Sequence, residues 1–270
     1  MRIAGIIGGR RAVFERALSA VVKRMKRKPQ ERSQLVVTIP VVFHVLYNTA
    51  TENISEAQVL SQLQIMNDDF RRLNADQDNV WSQAADTQIE FCLATQDPQG
   101  NPSDGILRVP TSVTQFGTND NMKFSSQGGS DAWPASEYLN FWVCDLGSSL
   151  LGYAQFPGGP ANTDGVVCTY TATGDVGTAQ APFDLGRTGT HEIGHWLNLR
   201  HIWGDGGCGA DDFVSDTPED DGANYGCSLG SSSCEAGVSA MVQNYMDYSD
   251  DACMNLFTQG QGDRMNALFQ

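Results

Sequence analysis

Three of the four histidines in the chain fall inside RTGTHEIGHWLNLRH, residues 187–201, and their spacing dictates a local geometry. If this segment begins as a helix, His191 and His195 stand one turn apart on the same face, with Glu192 beside that face but not on it. His201 comes six residues after His195, and a helix that simply continued would carry it about 240° round, pointing away. All three imidazoles can meet only if the helix stops and the chain doubles back near position 198. Asn198 is among the few non-glycine residues that enter the left-handed conformation readily.

Such a meeting suits zinc chemistry. Three neutral imidazoles leave the ion a fourth position for water, whose pKa the metal lowers toward about 7. Glu192, adjacent but not a ligand, is placed to take a proton from that water and pass it to a leaving amine. Three competing readings stay open at this point: a buried helix whose histidines merely cap or pack, a zinc-retaining binding or adhesion module without catalysis, and a zinc hydrolase whose HExxH is completed by a distant glutamate. An intact Glu192 argues against the second, and the interval to His201 argues against the third. His44 sits among Val41, Val42, Phe43 and Val45 and reads as a hydrogen-bonded sheet histidine.

Charge removes other classes of function. The net charge of −15 conceals a basic leader, since residues 1–32 carry ten Lys or Arg against Glu15 and Glu31, a local +8, which leaves −23 on the rest. A body that acidic offers no face for nucleic acid. No stretch approaches the roughly 18 consecutive apolar residues of a membrane span. Within the leader, Phe14, Ala17, Leu18, Val21, Val22 and Met25 recur at helical spacing among basic residues, so residues 1–34 read as an amphipathic leader or pro-segment remnant, removable without loss of the fold. A disordered basic arm is the alternative. The apolar run at residues 3–9 is too short for a good secretory signal.

Beyond the leader, residues 35–47 (LVVTIPVVFHVLY) have strand character despite Pro40. Ser55 resembles a helix cap, with Gln58 three residues on, ahead of Val59, Leu60, Leu63, Ile65, Met66, Phe70 and Leu73. Further strands are expected at residues 89–94, 138–145 and 165–170. A strand, a helix and then several strands give an α+β lobe with a mixed sheet. After Gly204 the periodicity fades into glycine, acids and cysteine until residues 254–269, which reads as a second, irregular lobe.

Four of the seven cysteines, Cys208, Cys227, Cys234 and Cys253, crowd into that lobe, and no CxxC pair exists. They read as two disulfides stapling loops that lack a core of their own, with three pairings open, and they imply an oxidising, extracytoplasmic destination.

The segments HEIGHWLNLRHIWGD and NYMDYSDDACM carry a family resemblance. The first resembles the metzincin signature HExxHxxGxxH with Asn198 in the usual glycine position, and Asn244-Tyr245-Met246-Asp247-Tyr248 resembles the metzincin Met-turn. Together with LGYAQFPGG and GRTGTHEIGH they are similar to the bacterial pappalysins of the cytophagalysin or ulilysin type, from about residue 38 to the C-terminus. The resemblance implies a metzincin fold: a catalytic domain over residues 35–270, its upper lobe (about 35–201) a twisted mixed sheet with a backing helix and the active-site helix, its lower lobe (about 202–270) irregular. It also implies a secreted zinc endopeptidase acting on proteins or peptides as a monomer, with Met246 as a floor beneath the zinc and Tyr248 reaching toward the metal to stabilise the tetrahedral intermediate.

Calcium enters by the same route. Six carboxylates, Asp211, Asp212, Asp216, Glu219, Asp220 and Asp221, fall within eleven residues, a density that wants solvent or a cation. The resemblance implies a structural calcium held by Asp212, the Ser215 carbonyl and Thr217, and disulfides Cys208–Cys234 and Cys227–Cys253. Two departures stand out. No cysteine precedes Cys92, so latency through a pro-segment cysteine on zinc has no candidate here. The aspartate that selects Arg or Lys after the scissile bond, expected just before the cysteine that follows the Met-turn, is replaced by Ala252.

Overall fold

The computed structural model describes residues 8–27, 36–147 and 149–270. Residues 3–7 of the short apolar run, residues 28–34 of the leader and Leu35 lie outside the described residues. A helix, α1 (Gly8–Arg27), precedes the first strand, β1 (Val37–Tyr47), so the leader's helical spacing is expressed as a helix. Helix α2 (Glu56–Phe70), β2 (Ile89–Leu93), β3 (Ile106–Pro110), β4 (Leu139–Cys144), β5 (Gly152–Ala154) and β6 (Val166–Thr169) follow, then α3 (Arg187–Trp196). The remainder holds β7 (Tyr225–Gly226), β8 (Tyr248–Ser249) and α4 (Gln259–Asn266).

The sheet runs β2-β1-β4-β6-β5, with β3 also paired to β1. All pairs are parallel except β5 against β6, so the sheet is mixed and ends on a short antiparallel edge. Pro40 survives inside β1 for a reason of parity. The amides of Val37 and Phe43 donate to Gln88 and Gly105 on the β2–β3 side, so even-numbered amides face β4. Pairing with β4 begins only at Val41, and Pro40 therefore has no ladder bond to lose.

Both faces of the sheet are buried. Ile39, Val41, Phe43 and Val45 face α2 and α3 together with Phe141, Val143, Val166 and Cys168. Leu46, Trp142, Cys144 and Val167 face the other way, under a helix-poor excursion that contributes Phe116 and Met122. His44 lies on this second face, fully buried. Its Nε2–H donates to Asn140 Oδ1 at 3.1 Å, so Nδ1 accepts from the Ser130 hydroxyl at 2.8 Å. Burial holds the ring neutral, its pKa down at about 4.

Ser55 caps α2, accepting from the Gln58 amide at 3.2 Å. Its inner face differs from the apolar stripe expected. Leu60 and Leu73 are exposed, whereas Gln58, Gln62 and Asp69 are buried with Val59, Met66 and Phe70. Each buried polar group grips a distant loop: Gln58 reaches the carbonyls of Tyr170 and Thr173. Gln62 donates to the Gly186 carbonyl at the start of α3 and accepts from Gly174. Asp69 accepts from Thr190 and from the Tyr245 hydroxyl, and pairs with Arg187. Helix α2 thus sets where α3 begins and how it is rotated.

Beyond α3 the chain has little regular structure. Cys208 is bonded to Cys234 and Cys227 to Cys253, with Cα atoms 5.7 and 5.6 Å apart. Cys92, Cys144 and Cys168 are free. The acidic loop uses its carboxylates singly: Asp211 accepts from Phe213 N and Asp212 from Val214 N within the loop, and Asp216 accepts from Gly260 N at the start of α4.

Candidate metal centre and cleft

Helix α3 places His191, Glu192 and His195 on a buried face. It stops at Trp196, and the amides of Asn198 and Leu199 turn back onto the carbonyls of His195 and Gly194. Asn198 has φ 72°, the left-handed residue that the spacing of His195 and His201 demands. The turn returns His201 to its partners: the ligand-capable nitrogens of His191, His195 and His201 all lie within 4.8 Å of one another. Among the described residues these histidines form the one group of three or more His, Cys, Asp or Glu able to hold a metal, so no carboxylate completes the motif in place of His201.

The tautomers follow from the partners. His191 Nδ1–H donates to the Tyr245 carbonyl at 2.6 Å and His195 Nδ1–H to the Leu199 carbonyl at 2.8 Å. His201 Nδ1–H donates to Asp205 Oδ1 at 2.5 Å. Every Nε2 therefore presents a lone pair inward, the arrangement that outer partners impose on metal-binding imidazoles. The Nε2 atoms of His195 and His201 stand 3.1 Å apart, two acceptors facing each other with no hydrogen between them, which only a cation makes favourable. Zinc–nitrogen bonds of about 2.0–2.1 Å in a tetrahedron put nitrogens about 3.3 Å apart, so the residues present fit that ion. Burial lowers the pKa of His191 to about 3 and that of His195 as well, keeping both rings neutral as ligands must be.

Around this centre, Met246 is fully buried and its Sδ packs where a side chain on Gly194 would otherwise lie, beneath α3. The turn from Asn244 to Tyr248 is tied down by Asn244 and Gln261, which exchange side-chain hydrogen bonds, and by Tyr245 on Asp69. The Tyr248 ring lies 4.7 Å from that of His201 and 5.7 Å from that of His191. Burial, with the nearby carboxylates of Glu192 and Asp205, raises its hydroxyl to about 12, so it remains a donor near neutrality. Burial alone pushes the Glu192 carboxyl up to about 8, a rise that a cation bound next to it opposes. Room for Glu192 exists because residue 152 is glycine: a Cβ there would come within 2.9 Å of Glu192 Cγ.

The cleft beside these groups is a cavity of about 380 Å³, with walls drawn from residues 149–152, α3 and the turn leading to Met254. Asp247 and Asp251 line it. Burial raises both carboxyls to about 6. Ala252 is exposed and absent from the lining. Asp251, one residue earlier, is buried at the pocket wall. The short strand β5 and the polar stripe of α2 escaped sequence reading. The glycine of LGYAQFPGG was the available signal for the first.

A helix with two motif histidines, a third returned by a left-handed turn and a methionine buried beneath that helix define a zinc metalloendopeptidase of the metzincin class. The family model for peptidase M43, described as pregnancy-associated plasma protein-A, matches residues 123–270. Extracellular metalloprotease 1 of Coccidioides posadasii is 34% identical over 247 residues, covering 88% of this chain and 78% of its own. Among solved structures, mature mirolysin of Tannerella forsythia in complex with a cleaved peptide is 51% identical, with a TM-score of 0.84 over 87% of this chain and 92% of that one. A promirolysin mutant from Tannerella forsythia is 48% identical, with the same TM-score of 0.84, over 93% of this chain and 87% of its own. This chain belongs to the pappalysin family, peptidase M43.

Proposed function

We propose that the chain is a secreted endopeptidase whose metal is held by His191, His195 and His201 and whose general base is Glu192. The carrying observation is the convergence of three inward Nε2 atoms beside the Glu192 carboxylate in a cleft. Zinc held there supplies the Lewis acidity that lowers the pKa of a water and polarises a carbonyl. Glu192 takes the proton of the attacking water on its carboxylate and later delivers it to the leaving amine. The Tyr248 hydroxyl donates to the carbonyl oxygen as charge develops there.

An extended peptide has an evident track. Strand β5 ends the sheet, paired on one side by β6, and residues 150–152 line the cleft. A free strand edge binds a substrate backbone as an added strand, leaving side chains to enter pockets. The cleft draws on both lobes, about 35–201 and about 202–270, of one catalytic domain. Secretion is supported by two disulfides and by relatives named extracellular metalloproteases. Family membership and the intact Glu192 favour an enzyme over an adhesion module. A chelator should abolish casein turnover and stoichiometric zinc should restore it, and turnover that persists in metal-free protein would refute the reading.

Asp247 is fully buried and held by Asn224 and the Tyr248 amide, so a preference for Arg or Lys after the scissile bond rests on Asp251 at the cavity wall. Cleavage of a randomised peptide library should show that enrichment, and a library flat at both flanking positions contradicts it.

Calcium at Asp212, the Ser215 carbonyl and Thr217 stays a proposal for the acidic loop. Asp212 is 6% exposed, accepts from the Thr217 hydroxyl at 2.7 Å, and burial lifts its carboxyl to about 7. A cation there would supply the missing neutralisation. Calcium at about a hundred times its dissociation constant should add about 2.7 kcal/mol of stability, visible by calorimetry and blunted in Asp212→Ala. No change on calcium-selective chelation leaves the loop a solvated face.

A further inference from the structure

One cation lies behind the turn that returns His201. Arg264 of α4 donates from Nε to the Asn198 carbonyl at 2.9 Å. Left-handed backbone at a non-glycine residue persists only where its surroundings hold it, and this bond is a tertiary hold on that residue. Arg264 is itself 2% exposed, and a guanidinium so buried needs an anion, because losing one partner leaves an uncompensated charge. Asp212 of the acidic loop acts on this guanidinium through space, and the anion bonded directly to it comes from the leader. Glu15 of α1 accepts Nη2 on both carboxylate oxygens, at 3.0 and 2.8 Å. It is 8% exposed, one turn of helix from buried Leu18. The Arg264 guanidinium also covers the ring of Phe213 in the acidic loop, at 5.2 Å. Among the described residues, none from α1 lines the catalytic cavity.

We propose that α1 braces the zinc centre from behind: Glu15, acting through Arg264, holds the Asn198 turn and so keeps His201 aligned with His191 and His195. Glu15 and Arg264 are positioning residues in this scheme, and the scheme rests on the histidine ligand set proposed above. The leader then contributes to the quality of the metal site without entering the cleft. Helix α3 alone fixes two ligands, whereas the third hangs on a turn whose carbonyl is gripped by the ion pair.

The full-length chain tests it, with zinc affinity read by competition against a chromogenic chelator and geometry read from the d–d spectrum of the cobalt-substituted protein. Glu15→Gln should weaken zinc about tenfold, the scale on which partners that orient ligands act, and should alter the cobalt spectrum. Glu15→Asp, which keeps the carboxylate, should restore both. Arg264→Lys keeps the charge but loses the Nε donor to Asn198, and should weaken zinc in the same way. If Glu15→Gln and Arg264→Lys lower only the melting temperature of the metal-free protein, with wild-type zinc affinity and cobalt spectrum, α1 is merely anchored and the brace is overturned. Zinc retained at wild-type affinity by His201→Ala overturns the ligand set itself, and the brace with it.

Discussion

Glu192→Ala should keep zinc and the fold while lowering kcat by about three orders of magnitude or more, since proton transfer and charge stabilisation vanish together. The retention of zinc is the sharper half of this expectation. Glu192 is buried beside His191 but does not belong to the group of side chains able to hold the ion. Removing it also relieves the burial that lifts its carboxyl to about 8, so thermal stability should not fall. Metal content, circular dichroism and turnover of a quenched peptide, measured on one preparation, check all three. Near-normal turnover in the zinc-replete variant would sink the general-base assignment.

Tyr248→Phe is the second large effect, about a hundredfold in kcat with KM little changed. The ring is held by packing against His201 and Trp203, with centroids 4.7 and 5.0 Å away, and phenylalanine keeps that packing. Only the hydroxyl is lost. A donor that bonds the carbonyl oxygen more strongly as charge develops contributes to the transition state and not to ground-state binding. Steady-state kinetics on a single peptide separate the two constants. A rise in KM with kcat preserved would make Tyr248 a substrate-binding residue instead.

Much of this centre is legible in the order of residues alone because its demands are local. Two histidines at a four-residue interval share a helix face, and Asn198 is the residue type for the turn that His201 needs. The run of β-branched residues in β1 and the Ser55 cap are signals of the same short range. β1 begins two residues later than expected and α2 starts at its Ser55 cap, but α2 ends at Phe70, three residues short of Leu73.

What the tertiary structure alone decided is polar and distant. Hydrophobic periodicity reports which residues leave water, so it promoted Leu60 and Leu73 to the inner face of α2 and passed over Gln58, Gln62 and Asp69. Those three are buried because loops and helix α3, more than 100 residues away, supply their hydrogen bonds. A strand of three residues, as in β5, is too short to show alternation. The sequence places Ala252 among neighbouring acids, and only the turn at residues 251–253 decides that Ala252 is exposed while Asp251 lines the pocket. Glu15 reads as one acid in a basic leader until it is seen against Arg264, 249 positions away. Local spacing is written in residue type, but the partner that makes a buried charge or amide tolerable is chosen by the fold, and no window of sequence contains both.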